Sequence, residues 1–235
     1  MSGYLTKHQT VQIEGADDVQ LLTLMDNQQY YDPEGAAERL GVSSAVWPLF
    51  GMLWPSSIRL ANKISHRQFC KDERILEIGC GLALASIVAH RRGMQVTASD
   101  RHPMARTFLK KNLELNDLPG LRYKFAQWGE NQDELATELG FKTLHSRFDL
   151  IMASDVLYER ETPEQLASFI NNHANEQAEV WLVDPNRGYA GAFTRSMQQY
   201  GFTQTENRLL SNEPMLNGMG VMENYTGRFL CYERQ

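Results

Sequence analysis

Residues 74 to 100 restrict the fold more than any other stretch, because they place two short apolar runs around one helical run and end each run at a residue suited to a ligand crevice. Arg74-Ile-Leu-Glu-Ile-Gly79 reads as a strand that enters a glycine turn. Leu82 to Arg92 reads as a helix with Gly93 as its stop, and Gln95-Val-Thr-Ala-Ser-Asp100 as a second strand. A strand-helix-strand unit of this kind belongs to a parallel sheet with helices on its faces.

The alternation continues. Pro103 stands where a helix would begin and run to about Leu115, and Leu121 to Ala126 reads as a third strand. Phe148-Asp-Leu-Ile-Met-Ala-Ser154 is a fourth, its unbroken apolar run typical of a strand covered on both faces. Between them a polar insertion with Glu130, Asp133, Glu134 and Glu138 predicts a short surface helix. A helix from about Pro163 to His173, a fifth strand Glu179-Val-Trp-Leu-Val-Asp184 and a helix from about Tyr189 to Tyr200 follow. Phe202 to Arg234, with Gly218, Gly220 and Gly227 between extended apolar runs, predicts an antiparallel pair at the sheet edge.

Ahead of the sheet, Tyr30 to Pro33 suggest a turn and Ser57 to Ile64 a helix. Neither a repeat nor a low-complexity linker divides the chain, so residues 1–70 are expected to form a helical cap on one domain whose core is 71–235. With 42% of 235 residues hydrophobic, one sizeable core is affordable and two are not.

Charge and cysteine usage narrow the partners. A net charge of −6 lacks the cationic field that non-specific binding to phosphate backbones requires, which makes nucleic acid an unlikely partner. The local basic run Lys63, His66, Arg67, Lys71, Arg74 is expected to be a solvated helix face. Cys70, Cys80 and Cys231 form no Cys-x-x-Cys pair, and six scattered histidines show no ligand spacing, so no metal is expected. The first ten residues lack a secretion-signal core and no apolar run reaches the ~18 residues of a membrane span. A cytoplasmic protein is expected.

The chemistry gathers at Leu76-Glu77-Ile78-Gly79-Cys80-Gly81, with Asp100 ending the next strand. In an open α/β sheet that place is the ligand crevice; glycines let the backbone approach a nucleotide, and a carboxylate at the second tip accepts hydrogen bonds from ribose hydroxyls. Arg101 sits at the same tip and is placed in the cofactor site with it. The third glycine of a dinucleotide fingerprint would fall at 84, which is Leu84, so NAD fits less well. Glu77 would repel a pyrophosphate but attract the amino group of a methionine moiety, which favours S-adenosylmethionine (SAM).

Ile75 to Ser86, Val96 to Asp100 and Asn112-Leu-Glu-Leu-Asn116 together resemble the seven-β-strand methyltransferases of family 16. That family includes protein-lysine methyltransferases marked by Asp-x-x-Tyr after the fourth strand, here Asp155-Val156-Leu157-Tyr158. Trp54-Pro55-Ser56 and Trp128-Gly129 extend the resemblance over roughly residues 50 to 160. It implies a Rossmann-like, doubly wound, mostly parallel seven-stranded sheet with an antiparallel C-terminal edge hairpin. It also implies that Trp54, Gly79, Cys80, Gly81, Asp100, Trp128 and Ser154 line the SAM site. The family often has an acid before the second tryptophan; Gln127 stands there, and its amide can still receive the adenine amino group.

The expected reaction is methyl transfer to a lysine of a protein substrate, with Asp155 orienting the amine and Tyr158 shaping the pocket. Competing expectations stay open: the tryptophans as core residues, Asp155 as a helix cap, and Asp184-Pro-Asn-Arg-Gly188 either as a plain turn or as an acceptor wall offering Arg187. Base-methylating relatives carry Pro-Pro and an aromatic after the fourth strand, which this chain lacks. A small-molecule amine methyltransferase of the nicotinamide type is the alternative enzyme, and a non-catalytic SAM-binding protein the alternative class. A monomer without membrane contact is expected.

Overall fold

Ile75, Leu76, Glu77 and Ile78 are all buried, as a strand covered on both faces requires, and they form the middle of the sheet in the computed structural model. The structure describes residues 3–129, 132–210, 214–216 and 222–235. Along the chain run β1 (Thr6–Val11), β2 (Val19–Leu24), α1 (Ala36–Arg39), a 3₁₀ turn (Trp47–Gly51) and α2 (Pro55–Ser65). Then come β3 (Arg74–Ile78), α3 (Leu84–Arg91), β4 (Gln95–Asp100), α4 (Ala105–Leu115), β5 (Arg122–Phe125), α5 (Gln132–Glu138) and β6 (Phe148–Ser154). The chain ends with α6 (Thr162–His173), β7 (Ala174–Asp184), α7 (Ala190–Gln199), β8 (Thr203–Leu209), β9 (Pro214–Leu216), β10 (Met222–Asn224) and β11 (Arg228–Arg234).

Among the described residues seven strands form one sheet in the order β5-β4-β3-β6-β7-β11-β8. The first five are parallel, and β11 joins β7 and β8 antiparallel to each. The expected doubly wound sheet with an antiparallel C-terminal edge is therefore present. Alternate residues of each strand enter opposite layers, as the two-residue period demands. Ile75, Leu150 and Trp181 pack with α2, α3 and α4, while Leu76, Ile151 and Val180 pack with α6 and α7. A helix stands at the polar insertion, whose Glu130 lies outside the described residues, as do Gly218 and Gly220. Among the described residues no helix is long and apolar enough to cross a membrane.

Three expectations need correction. Residues 1–70 do not form a purely helical cap: they open with an antiparallel hairpin, Val11 opposite Val19 and Thr6 opposite Leu24. The hairpin carries no strong sequence mark because β1 is mostly polar and β2 is held by side chains of a helix instead of by the main sheet. Asn112 Oδ1 accepts the Leu22 N–H at 2.7 Å, and Asn116 both accepts from Gln20 N at 2.9 Å and donates to Gln20 O at 2.7 Å. These two asparagines, one helical turn apart, give β2 a substitute ladder.

The basic run is only in part a solvated face: His66 and Lys71 are exposed, but Lys63 and Arg67 are engaged. Lys63 Nζ lies 4.8 Å from the Phe229 ring centroid, and Arg67 stacks 4.7 Å over Trp181 while bonding Glu73 at 2.5 Å and Glu179 at 2.9 Å. These cations fasten α2 and its following loop across the sheet by paired charge and cation–π contact. Thirdly, β7 starts at Ala174, directly after α6, with a register shift opposite Phe148 and Leu150 before the regular stretch from Glu179 begins.

Candidate functional site

The strand order turns outward in both directions from β3 and β6, so the crevice beyond their carboxyl ends is the natural ligand position. Three tips meet there: Ile78 lies in register with Ser99 of β4 and with Ala153 of β6.

The turn after β3 is wound by left-handed residues, Gly79 at φ 60°, Gly81 at φ 51° and Ala83 at φ 60°. Both glycines are required. A Cβ on Gly79 would meet Val156 Cγ1 at 2.9 Å, and one on Gly81 would meet the Phe50 carbonyl oxygen at 2.8 Å. Cys80 donates its N–H to Ser99 O at 2.9 Å, which ties the turn to β4.

Asp100 fastens the same turn from the other side. Its Oδ2 accepts Gly81 N–H and its Oδ1 accepts His102 N–H, each at 2.8 Å. Each carboxylate oxygen has a second lone pair to offer, which is what a ribose diol needs. Burial pushes the Asp100 carboxyl above its usual range, and the His102 and Gly81 amides pull it back toward the ionised form.

One cavity joins these parts. Gly79, Cys80 and Gly81 form its floor, and Asp100, Arg101 and His102 its side at the β4 tip. Trp128 stands after β5, and Ser154, Asp155 and Tyr158 at the β6 tip. Trp54 also lines it; its indole N–H is already used on Leu49 O at 2.9 Å, leaving an apolar ring for the cavity. Trp54 and Trp128 are thus partly buried cavity walls, not core.

Two of the expected cofactor residues are elsewhere. Glu77 is 2% exposed behind the turn and is not on the cavity wall; its Oε2 accepts the Ser86 N–H at 2.8 Å inside α3. Its acid serves the helix start, where orphan N–H groups and the helix dipole favour negative charge. Gln127 lines a second, open depression between α6 and α7 that shares Trp128 with the first, and its buried Oε1 has no partner among the described residues. That free acceptor is the kind of group an adenine amino proton would satisfy.

Asp155 sits in the left-handed region at φ 60°, with its N–H bonded to Val183 O at 2.9 Å. It is no helix cap, since α6 begins only at Thr162. Its Oδ1 takes a hydrogen bond from Arg187 Nη1. Burial raises the Asp155 carboxyl, and Arg187 opposes that rise. Tyr158, about a third exposed at 36%, stands at the cavity mouth. The turn reading of Asp184 to Gly188 holds for Asp184, whose Oδ2 accepts Asn186 N–H at 2.9 Å, and for Asn186 and Gly188 at φ 65° and 92°. Arg187 lines the cavity, the position that the acceptor-wall reading requires.

The sequence reading missed the N-terminal wall. Val42, Val46, Leu49, Phe50 and Met52 close the cavity over the glycine turn, and no local pattern marks them. The cavity also takes in His102. It stacks on Phe50 with centroids 3.8 Å apart at 12°, and burial lowers its pKa to about 3, so the ring is neutral. Nδ1 accepts Met104 N–H at 3.2 Å, which leaves the ring proton on Nε2, where no partner stands among the described residues. A histidine two residues beyond the strand-end acid was the available signal.

Glu77 yields a test of its own placement. Burial raises its pKa from 4.5 to about 7. Between those values the folded chain holds a proton that the unfolded chain has released, so stability falls as pH rises through the window. The penalty is on the order of 3 kcal/mol above pH 7, at ~1.36 kcal/mol per pKa unit. Glu77→Gln keeps an acceptor for Ser86 N–H and removes the charge. Melting scans should show a gain of roughly 5–10 °C at pH 8 and little at pH 4.5, with SAM affinity within about threefold by calorimetry. A tenfold loss of affinity would restore Glu77 to the cofactor.

Comparison with known proteins agrees with this fold. The pattern of a family described as lysine methyltransferase matches residues 38–199. Protein N-lysine methyltransferase METTL21A of Xenopus tropicalis is 29% identical over 157 residues, 65% of this chain and 64% of that protein. Histone-arginine methyltransferase METTL23 of Homo sapiens is 31% identical over 135 residues, 55% of this chain and 67% of that one. Calmodulin-lysine N-methyltransferase of Arabidopsis thaliana is 30% identical over 148 residues, 57% and 45% of the two chains. The chain thus spans between about half and two thirds of the length of these relatives. Among solved structures, the Thermus thermophilus 16S rRNA N2 G1207 methyltransferase RsmC, in complex with AdoMet and guanosine, aligns with a TM-score of 0.57 at 15% identity over 98% of this chain and 51% of that one. A ribosomal protein L11 methylase from Lactobacillus delbrueckii subsp. bulgaricus gives 0.53 at 16% identity over 76% and 79%. At such identities the likeness is one of fold.

Proposed function

We propose that this chain, which belongs to the lysine methyltransferase family, uses SAM to methylate a lysine side chain of a protein. The observation that carries the proposal is the shared cavity: Asp155 at the β6 tip faces the same space as the Gly79–Gly81 turn and Asp100. The residues fit an adenosyl ligand. Gly79 and Gly81 bring bare backbone to the cavity in a left-handed turn that no side chain could adopt without clash, and Asp100 retains acceptor capacity on both oxygens.

Bound there, SAM supplies an electrophilic methyl group. Asp100 would hold the ribose hydroxyls, Trp54 and Trp128 would supply apolar walls that exclude water, and Cys80, Arg101 and Ser154 would border the ligand. A lysine amine with an ordinary pKa near 10.4 is almost fully protonated at neutral pH and has no lone pair for attack. Desolvation between these walls favours the neutral amine. Asp155 would orient the amine by a hydrogen bond and Tyr158 would narrow the entrance, so that catalysis is mainly positioning. We further take the chain to act as one monomeric domain in the cytoplasm, a setting that suits the free thiols of Cys70, Cys80 and Cys231.

Tritiated SAM incubated with the purified protein and cell lysate should label a discrete protein band, and mass spectrometry of that band should place the methyl on lysine. Label found only in molecules that pass a size filter would move the assignment to a small amine, and a methylated arginine would move it to the chemistry named for METTL23. SAM binding with no acceptor at all would leave a binding protein.

A further inference from the structure

We infer that Arg187 is the specificity-determining residue of the acceptor site: its guanidinium occupies the place of the acceptor's cationic head on Asp155 and is displaced by it. The inference rests on the reading of Asp155 as the group that receives the acceptor. Arg187 Nη1 bonds Asp155 Oδ1 inside the cavity. The Asp155 side chain is 13% exposed and the Arg187 side chain 38%, so the cation enters from the solvent side, as an acceptor side chain would.

Two features make Arg187 displaceable. Its side chain has no second hydrogen bond to the protein among the described residues, so the one contact with Asp155 is all that holds the guanidinium there. Its own loop also holds a second berth. Asp184 is 1% exposed, its Oδ2 is taken by Asn186 N–H, and its buried Oδ1 has no partner among the described residues. Buried acceptors without a donor are rare, and Arg187, three residues on, carries the donors that would satisfy this one. The guanidinium therefore has two carboxylates to choose from, and an incoming cation at Asp155 leaves Asp184 for it.

Such a competitor sets a threshold. A neutral side chain of similar length cannot replace the lost Arg187–Asp155 bond, whereas an ammonium or guanidinium head can. Occupancy of Asp155 by Arg187 lowers apparent acceptor affinity by the fraction of molecules in the open state.

The test uses S-adenosylhomocysteine to fill the cofactor site and Nα-acetyl-lysine methylamide as the amine probe, with Nα-acetyl-norleucine methylamide as its uncharged counterpart. Titration calorimetry on the wild type and Arg187→Gln should show S-adenosylhomocysteine binding unchanged and the lysine probe bound about fivefold to tenfold more tightly by the variant. The norleucine probe should show no gain. The gain should vanish in the Asp155→Asn, Arg187→Gln double variant, and Arg187→Lys should fall between, because it keeps the charge and loses the planar fork. Lysine-probe binding that is weaker, unchanged or absent in Arg187→Gln overturns the inference. Failure of the wild type to bind S-adenosylhomocysteine overturns the methyltransferase reading instead. A melting scan of each variant separates lost binding from lost folding.

Discussion

Asp155→Ala is expected to lower methyl transfer by about 10²–10³-fold while SAM affinity stays within about threefold. The carboxylate lines the shared cavity at the β6 tip, whereas the groups proposed for the adenosyl moiety belong to the β3 and β4 tips. Losing a group that aligns the acceptor costs orientation, a contribution of several kcal/mol in well-positioned reactions. Alanine also sits less well than aspartate at φ 60°, at a cost of ~1 kcal/mol. Asp155→Asn avoids that cost, since asparagine tolerates the left-handed region, and separates charge from backbone geometry. Labelling assays on both variants, with calorimetry for SAM, give the comparison. Equal loss of SAM affinity and of transfer would mean that Asp155 supports the cofactor instead of the acceptor.

The second large effect is at Asp100. Its replacement by alanine is expected to weaken SAM binding by at least about tenfold, from ~1.5–3 kcal/mol for hydrogen bonds to a charged group. The geometry adds a structural loss, because Gly81 N–H and His102 N–H both depend on this carboxylate. Asp100→Asn is expected to fare little better. Both oxygens accept backbone N–H bonds, so whichever way the amide turns, its NH₂ meets a donor. Gly81→Ala should give the same phenotype by another route, with a Cβ 2.8 Å from Phe50 O forcing the N-terminal wall away from the turn. Calorimetry showing wild-type SAM affinity in Asp100→Ala would remove the ribose contact from the proposed site.

Much of this site could be read without coordinates, and the reason is local. Gly79, Gly81 and Asp100 stand at strand ends that the two-residue and helical periods already mark, and parallel register then brings those ends together. Phe148 to Ser154 emerged with the bounds expected of it because a continuous apolar run between turn residues leaves little choice. Asp155 followed, as the residue after that strand. Glu77 was misplaced for an equally physical reason: its position in the motif is visible, but whether an acid before a glycine turn faces the ligand or the helix behind depends on which side of the strand it leaves. Here it leaves toward Ser86.

Periodicity alone thus determined the α/β order, the parallel centre, the glycine turn and its acidic partner on the neighbouring strand, since each depends on residues close in sequence or on the regular pleat. Tertiary structure alone decided the N-terminal hairpin on Asn112 and Asn116, the Phe50 wall over Gly81, the burial of His102 and the bond between Arg187 and Asp155. Those contacts join side chains or backbone groups separated by tens of residues, and no local pattern distinguishes a phenylalanine or arginine that will reach the crevice from one that will not. Only the folded chain, by closing its N-terminal segment and its β7–α7 loop over the strand tips, places them there.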